Sequence, residues 1–253
     1  MKNSIGFLHN GPGPGKTPAE GVSPCLSSIC GCLGQCSLEL FPGWLDHPEV
    51  DLVEWRIDRF SKRYSPGGIK AFCEVLSAGP RRPVIATNRP VRQMGDFEGE
   101  EDLRLGLLED AAKAGAEWVD LEYDTDPADI ERFKKTGARV LLSWHDPQAT
   151  PSDGILRERL EQMSKAGPDA LKIATFARVP SDNLRVLNLI CLAKKEWGLD
   201  LVCFCMGPVG KWSRVASLFL GSPWTYARMD GQEATAPGQF DASELRSLIG
   251  ALT

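Results

Sequence analysis

The sequence predicts a single (β/α)8 barrel, the TIM barrel of the α/β class, over residues 29–253. Two observations favour this fold: eight short apolar runs of strand type recur about every 20 to 35 residues, and helical patterns fill most of the intervals. This alternation is typical of parallel strands joined by helices, and 253 residues is an ordinary length for one such barrel. An open doubly wound sheet is the alternative, but its glycine-rich dinucleotide motif does not follow any strand.

The predicted strands are nearly continuous apolar runs, as expected for parallel strands covered on both faces. Each is short and bounded by polar residues, glycine or proline. In chain order they are Ile29–Gly34, Leu52–Asp58, Pro83–Asn88, Trp118–Tyr123, Arg139–His145, Ala170–Thr175, Leu201–Met206 and Trp224–Met229.

The predicted helices carry apolar residues at helical spacing, most clearly in Glu101–Ala114. The interval after the first strand is the weakest, because prolines and glycine interrupt it. Boundary residues are expected at the remaining helices: Thr150 and Pro151 as N-cap and first residue of a helix ending near Gly167, Ser181 as the cap of a helix ending near Gly198, and Asp241 with Glu244 as a capping box for the last helix.

Composition excludes several classes of function. The net charge is −5 and no long basic run occurs, which argues against a nucleic-acid partner. No uninterrupted apolar run is long enough for a membrane span, and the first residues do not resemble a signal peptide, so we expect a cytoplasmic protein. Four cysteines crowd residues 25–36 with the spacing C-x4-C-x-C-x3-C, which lacks the C-x2-C pairs of zinc sites. We therefore predict buried thiols and no metal.

Residues 1–28 are predicted to be a flexible extension, since they are rich in Gly, Pro and Ser without periodicity. The stretch Gly11–Thr17 approaches a phosphate-binding loop. It departs from the motif because Asn10 stands where the first glycine is needed, and because two prolines remove backbone N–H donors. We do not expect a nucleotide there.

Charged residues in strands that are expected to be buried indicate a functional site, because the catalytic residues of this fold lie at the carboxyl ends of the strands. In the second run Glu54, Arg56 and Asp58 alternate and are expected to point the same way, into the barrel mouth or, on an edge strand, into solvent. Arg89, after the third run, is expected to bind a substrate carboxylate or to be a solvated loop residue.

Two further residues indicate acid–base and nucleophilic chemistry. His145 ends the fifth run, and histidine suits proton transfer near neutral pH, although a lone histidine is often structural. Lys172 lies inside the sixth run, where burial disfavours its charge, and a neutral amine attacks carbonyls to form a Schiff base. The alternative is a lysine that reaches solvent from the strand end. Arg214 and the loop Thr235–Gln239 follow the last two strands, where this fold often binds anions.

Together these residues resemble the type I 3-dehydroquinate dehydratase family. The matching stretches occur in the family's order and spacing from about residue 29 to the end, and six in order are highly specific. They are Glu54–Asp58, Arg89-Pro90, Ser143–Asp146, Leu171–Ala174, Met206-Gly207 through Ser213-Arg214, and Ala236–Gln239.

The resemblance implies an enzyme of the shikimate pathway, and of aromatic amino acid biosynthesis, without metal or cofactor. Its substrate would be 3-dehydroquinate, and it would release 3-dehydroshikimate after syn elimination of water. Lys172 matches the Schiff-base nucleophile and His145 the general acid/base. The positions that match substrate-binding residues are Glu54, Arg56, Arg89, Arg214, Thr235, which replaces the usual serine, and Gln239.

One departure concerns the catalytic group itself. Four residues after Arg89 the family carries a glutamate that orients the histidine, and here that residue is Gln93. A neutral amide lacks the charge that favours imidazolium, so we expect His145 to be a weaker base. Two other functions stay open: a weakened homologue that binds dehydroquinate without turnover, or a different Schiff-base lyase on the same fold. A homodimer is expected, because most soluble oligomers are two-fold symmetric.

Overall fold

The computed structural model describes residues 28–79 and 81–253. Apart from Ser28, the N-terminal extension expected over residues 1–28 lies outside the described residues. No helix in the described part of the chain is long and apolar enough to cross a membrane.

Eight parallel strands form one sheet, and each is within two residues of its predicted bounds. Every strand from β1 to β6 lies beside its successor, and β8 returns to pair with β1 through Ile29 and Thr225. This sequential order confirms the barrel and rules out the doubly wound alternative, whose strand order reverses. The strands are β1 (Ile29–Leu33), β2 (Leu52–Arg56), β3 (Val84–Thr87), β4 (Trp118–Glu122), β5 (Arg139–Asp146), β6 (Ala170–Phe176), β7 (Asp200–Met206) and β8 (Thr225–Arg228).

Helices follow the strands and cover the outside of the barrel. A single 3-10 turn, Val91–Gln93, also follows β3. The helices of the described chain are α1 (Phe41–Leu45), α2 (Ile57–Phe60), α3 (Pro66–Ser77), α4 (Glu101–Lys113), α5 (Pro127–Lys134), α6 (Asp153–Lys165), α7 (Pro180–Trp197), α8 (Ser213–Phe219) and α9 (Ala242–Leu252).

Two predicted helix starts were wrong in detail. The helix after β5 begins at Asp153 behind Ser152, because the Thr150 hydroxyl bonds the Thr175 hydroxyl (2.7 Å) and the Phe176 carbonyl (3.1 Å) instead of capping. In α7 the residue before the helix is Val179, and Ser181 lies inside the first turn.

At α9 the predicted N-cap position is right, but Asp241 makes no capping bond. Its carboxylate accepts from Nε of Arg228 at 2.5 Å instead, so an ion pair replaces the expected capping box. The predicted ends near Gly167 and Gly198 are confirmed, and both glycines have a positive φ, which favours glycine at a helix end.

The chain buries two apolar cores, one between strands and helices and one inside the barrel. The N-terminal half of the inner core is apolar and aromatic. There the rings of Trp118 and Trp224 pack edge to face, with centroids 5.4 Å apart. Around them lie Cys30, Leu52, Ile85, Leu141, Ala170 and Val202.

The barrel has a seam between β7 and β8, since no ladder joins these two strands within residues 28–79 and 81–253. At the seam the backbone N–H of Cys205 donates to Oγ of Ser213 at 2.8 Å rather than to a strand carbonyl. The N–H of Gly207 donates to the carbonyl of Pro237 at 3.2 Å. The segments after β7 and β8 therefore bridge the barrel where the strands do not.

Candidate active site

One pocket of about 460 Å³ opens at the carboxyl ends of the strands. Nine of the residues predicted for the site line it, although they come from six strands or the loops that follow them. They are Glu54, Arg56, Arg89, Gln93, His145, Lys172, Arg214, Thr235 and Gln239.

Lys172 lies at the floor of the pocket with its side chain 7% exposed. Its Nζ is 3.5 Å from Oε1 of Glu54 and 3.3 Å from Oδ2 of Asp120. The ring of Tyr226 lies below, with its centroid 4.1 Å from Nζ. The amine is therefore buried as the sequence predicted, but it has two carboxylate partners, of which Asp120 was not predicted as a site residue.

Arg89 is held by two buried carboxylates of β4. Its Nη2 lies 2.5 Å from Asp120 and its Nη1 lies 2.8 Å from Glu122. Burial alone would raise the pKa of Asp120, but the charges of Arg89 and Lys172 outweigh it and lower that pKa. Arg89 thus enters the pocket with much of its charge already balanced.

Asp58 was predicted to lie on the second strand, and this was wrong, because β2 ends at Arg56. In α2 the carboxylate of Asp58 accepts two bonds from Arg56, at 3.0 and 2.8 Å, and a third from the N–H of Asp96 at 3.1 Å. Burial would raise the pKa of Asp58, but the Arg56 guanidinium lowers it. Glu54 and Arg56 do share the inward face, as predicted, and Asp58 fixes the direction of the Arg56 side chain.

His145 lies on β5 one step above Lys172. Ser143 is the register partner of Lys172, so His145, two residues further along, points to the same interior. Gln93 contacts it through the backbone: Oε1 of Gln93 accepts from the N–H of His145 at 3.1 Å. Nδ1 of the ring is buried and has no partner within the described residues. Burial, followed by the charges of Arg89, Lys172 and Arg56, lowers the pKa of His145 well below its ordinary value.

Arg214, in the first turn of α8, is fully buried. Its Nη2 donates to the carbonyl of Pro237 at 3.3 Å, but Nε and Nη1 have no partner in the described chain. No carboxylate of the described residues forms an ion pair with it, and its guanidinium lies over Phe204, 4.1 Å from the ring centroid. Burial lowers the pKa of Arg214 to about 10. The pocket therefore contains a buried cation with free donors, which is an anion site by its chemistry.

The loop after β8 is closed by Gln239. Its Oε1 accepts from the backbone N–H of Thr235 (2.7 Å) and of Ala236 (3.3 Å), while its Nε2 donates to Oγ1 of Thr235 (3.0 Å) and to Sγ of Cys32 (3.3 Å). These bonds hold the Thr235 hydroxyl at the pocket wall. The predicted loop is thus one hydrogen-bonded unit rather than two independent ligands.

A tight turn after β3 brings Gln93 over the pocket. Met94 has φ +66°, in the left-handed region that favours glycine, and a Cβ on Gly95 would lie 1.9 Å from the carbonyl oxygen of Arg89. Gly95 is therefore required for this turn.

Sequence reasoning missed Asp120, Glu122 and Tyr226. The two carboxylates alternate within the apolar run of β4, the same pattern that singled out Glu54 and Arg56 on β2, so that pattern was sufficient to find them. Tyr226 gave no comparable indication, because an aromatic residue in a strand is ordinary core material.

Comparisons with known proteins agree with this geometry. The family model described as type I 3-dehydroquinase matches residues 45–253. A 3-dehydroquinate dehydratase of Syntrophobacter fumaroxidans is 45% identical over 228 residues, which cover 90% of this chain and 97% of that protein. The one of Desulfotalea psychrophila is 35% identical over 87% of this chain and 96% of its own. The crystal structure of the Geobacillus kaustophilus 3-dehydroquinate dehydratase superposes with a TM-score of 0.80 at 26% identity, covering 89% of this chain and 91% of that chain.

Proposed function

We propose that this chain, which belongs to the type I 3-dehydroquinase family, removes water from 3-dehydroquinate to give 3-dehydroshikimate. The proposal makes it a carbon–oxygen lyase of the shikimate pathway. The names and the high coverage of its relatives support it. One observation carries it: a buried amine, an imidazole and a buried cation without a carboxylate line the same pocket.

The reaction begins with transfer of a proton from Lys172, because only a neutral amine attacks a ketone. In this proposal His145 accepts the proton, because its ring is neutral: burial, and then the charges of the surrounding cations, lower its pKa. The lone pair of Nζ then forms a bond to the ketone carbon. The carbonyl oxygen leaves as water, with its protons supplied by His145 and the amine, and an iminium remains.

The iminium acidifies the adjacent C–H bond. His145 removes that proton, the electrons form the new double bond, and the β-hydroxyl leaves as water by syn elimination, protonated by the same imidazole. Hydrolysis of the iminium returns the amine and the product. The position of His145 two residues beyond the register partner of Lys172, on the neighbouring strand, supports one group serving both steps.

Arg214 binds the substrate carboxylate in this proposal. Its two free nitrogen donors and complete burial support this role over Arg89, whose guanidinium already contacts Asp120 and Glu122. Glu54, Arg56, Thr235 and Gln239 line the remaining wall and suit the substrate hydroxyl groups. The chemistry needs no metal or cofactor.

Reduction of the Schiff base tests the proposal directly. With 3-dehydroquinate and sodium borohydride, we expect a covalent adduct on the peptide that contains Lys172, and turnover followed by product absorbance. The Lys172→Ala variant should lose both, with a rate loss of about 10⁴-fold or more, while Lys165→Ala, at an exposed lysine, should lose neither. Turnover without an adduct, or an adduct only with a different ketone, would contradict the proposal.

A second function is favoured by the free Nδ1 of His145: a homologue that binds dehydroquinate but turns it over poorly. In a functional enzyme, Lys172 and His145 should sustain turnover in the wild-type chain. Binding without turnover, restored by Gln93→Glu, would favour the weakened homologue.

We also propose a cytoplasmic homodimer. The seven cysteines of the described chain are free thiols, which supports a reducing compartment. An apolar face on α7, α8 and α9 supports association with a second copy. It forms an open groove, and Lys211 and Glu244, oppositely charged, lie 3.5 Å apart beside it. The face exposes more than a third of each of six apolar residues, namely Leu184, Trp212, Phe219, Leu220, Leu248 and Leu252.

A two-fold axis through this face would bury the same apolar patch on both copies and let each charge meet its opposite. Stable dimers bury about 800 Å² on each partner, and exposed apolar residues clustered on one face are a feature of protein–protein interfaces. Sedimentation velocity should give a dimer that Phe219→Glu dissociates. The control Ile155→Glu, at an exposed apolar residue on α6, should remain a dimer.

A further inference from the structure

Three groups surround the amine of Lys172. Two are carboxylates, Glu54 at 3.5 Å and Asp120 at 3.3 Å. The third is the face of the Tyr226 ring, whose centroid lies 4.1 Å from Nζ. A cation attracts the negative face of an aromatic ring within about 6 Å, and more strongly where water is excluded.

Tyr226 contributes its ring and not its hydroxyl group. The side chain is 2% exposed, and the phenolic oxygen has no hydrogen-bond partner among the described residues. Burial, and then the charge of Glu54, raises the pKa of Tyr226 well above its ordinary value, so the phenol stays neutral.

The ring is fixed by its surroundings. Tyr226 lies on β8 opposite Cys30 of β1, and its ring packs on Phe204, with centroids 6.1 Å apart. Since strands and neighbouring rings hold it, the aromatic face stays under the amine. The Lys172 side chain has several rotatable bonds, so its contacts with the ring and the carboxylates define where Nζ lies.

We propose that Tyr226 is a positioning residue, whose ring face holds the protonated amine of Lys172 at the floor of the pocket. In the resting protein the ring stabilises the ammonium together with Glu54 and Asp120. In the reaction, a step that rests on the proposed function, the iminium carries its positive charge on the same nitrogen. The ring then stabilises that charge where carboxylates alone would leave one side of the nitrogen open.

Stepwise fluorination of the ring tests this, because it withdraws the negative charge of the face with little change of shape. Phenylalanine and its mono-, di- and trifluoro derivatives would be placed at position 226. The reactivity of Lys172 toward dilute acetic anhydride would be measured at fixed pH by mass spectrometry and normalised to the exposed Lys165. We expect Lys172 to label faster at each step, by roughly three- to tenfold over the series, as the ammonium loses stabilisation.

The phenylalanine reference of this series and two further variants complete the test. Tyr226→Phe keeps the ring, so the labelling of Lys172 should match wild type, whereas Tyr226→Leu should resemble the trifluoro variant. Trifluorophenylalanine at position 240 alters a ring that contacts Lys211 outside the pocket, with Nζ 4.0 Å from the ring centroid, and it should leave the labelling of Lys172 unchanged.

A flat fluorination series in folded protein, with a change only in Tyr226→Leu, would overturn the proposal and assign the ring to packing alone. Thermal unfolding of each variant separates the two, since fluorination should leave the melting temperature nearly constant. The labelling uses no substrate. Its outcome is therefore independent of whether the chain dehydrates 3-dehydroquinate.

Discussion

The two halves of the barrel interior are built from the same strands and have opposite chemistry. On β2 the inward row runs from Leu52 to Glu54 and Arg56, and on β4 from Trp118 to Asp120 and Glu122. Each row changes from apolar to charged in a single two-residue step. The lower half is a packed core, whereas the upper half buries charges in ion pairs around a pocket.

This contrast separates the part of the barrel that stabilises the fold from the part that limits its stability. Apolar burial in the lower half is favourable, while buried ion pairs seldom repay their desolvation. The upper half is maintained because each buried charge except Arg214 has a described partner of opposite sign. Substitutions in the two halves should therefore differ in kind.

The largest effect is expected from breaking an ion-pair network. Arg89→Met leaves Asp120 and Glu122 buried without their main cation, so the free energy of unfolding should fall by about 3–5 kcal/mol. Urea denaturation measures it. Adding Asp120→Asn and Glu122→Gln should restore part of the loss, and a loss under about 1 kcal/mol would mean that water enters the upper half.

The next effect concerns the unpaired cation. Arg214→Met should raise the KM for 3-dehydroquinate by about 10²-fold, because the substrate carboxylate loses its buried partner. Stability should stay equal or rise, since an unpaired buried charge is removed. Steady-state kinetics and urea denaturation measure the two, with Arg157→Met on the surface as the control. Lower stability with unchanged KM would make Arg214 a structural residue.

A smaller effect is expected in pH dependence. The pKa of His145 is lowered, so the imidazole stays neutral at pH values below the ordinary pKa of histidine. The acidic limb of the pH profile of kcat/KM should therefore lie at low pH. Gln93→Glu places a negative charge beside His145, favours imidazolium, and should move that limb to higher pH by roughly one unit or more. An unmoved acidic limb would show that another group controls it.

The smallest effect belongs to the lower half. Ile85→Val removes one methylene from the inner core and should cost about 0.5–1.5 kcal/mol of stability. Activity per folded molecule should not change, because Ile85 does not line the pocket. An altered kcat at full folding would mean that the two halves are coupled.

The sequence predicted the fold well because strand and helix periods are local properties. It placed eight strands within two residues and collected nine pocket residues from distant parts of the chain. The sequence predictions were wrong where a side chain's bonding partner determines its position. Asp58 was predicted to be a strand residue, but it lies in a helix and forms an ion pair with Arg56. Thr150 was predicted to be a helix cap, but its hydroxyl bonds Thr175 of the next strand.

The side-chain contacts within the site were less predictable than the identity of the residues that line it. The sequence indicated a buried Lys172, but not that Asp120 would be shared between it and Arg89. Nor did it indicate that Gln93 contacts the backbone of His145 rather than the ring. Such contacts depend on how strands register with one another, which no local pattern encodes.

The seam between β7 and β8 gives the pocket one rigid side and one compliant side. Lys172 and His145 stand where β5, β6 and β7 form the longest ladders of the described sheet. Arg214 and Gln239 stand on either side of the slit, which side chains and loops alone bridge. A small displacement of β7 relative to β8 breaks no strand pair. The side of the pocket beside Arg214 can therefore adjust to a ligand, while the side that holds the reacting groups stays fixed.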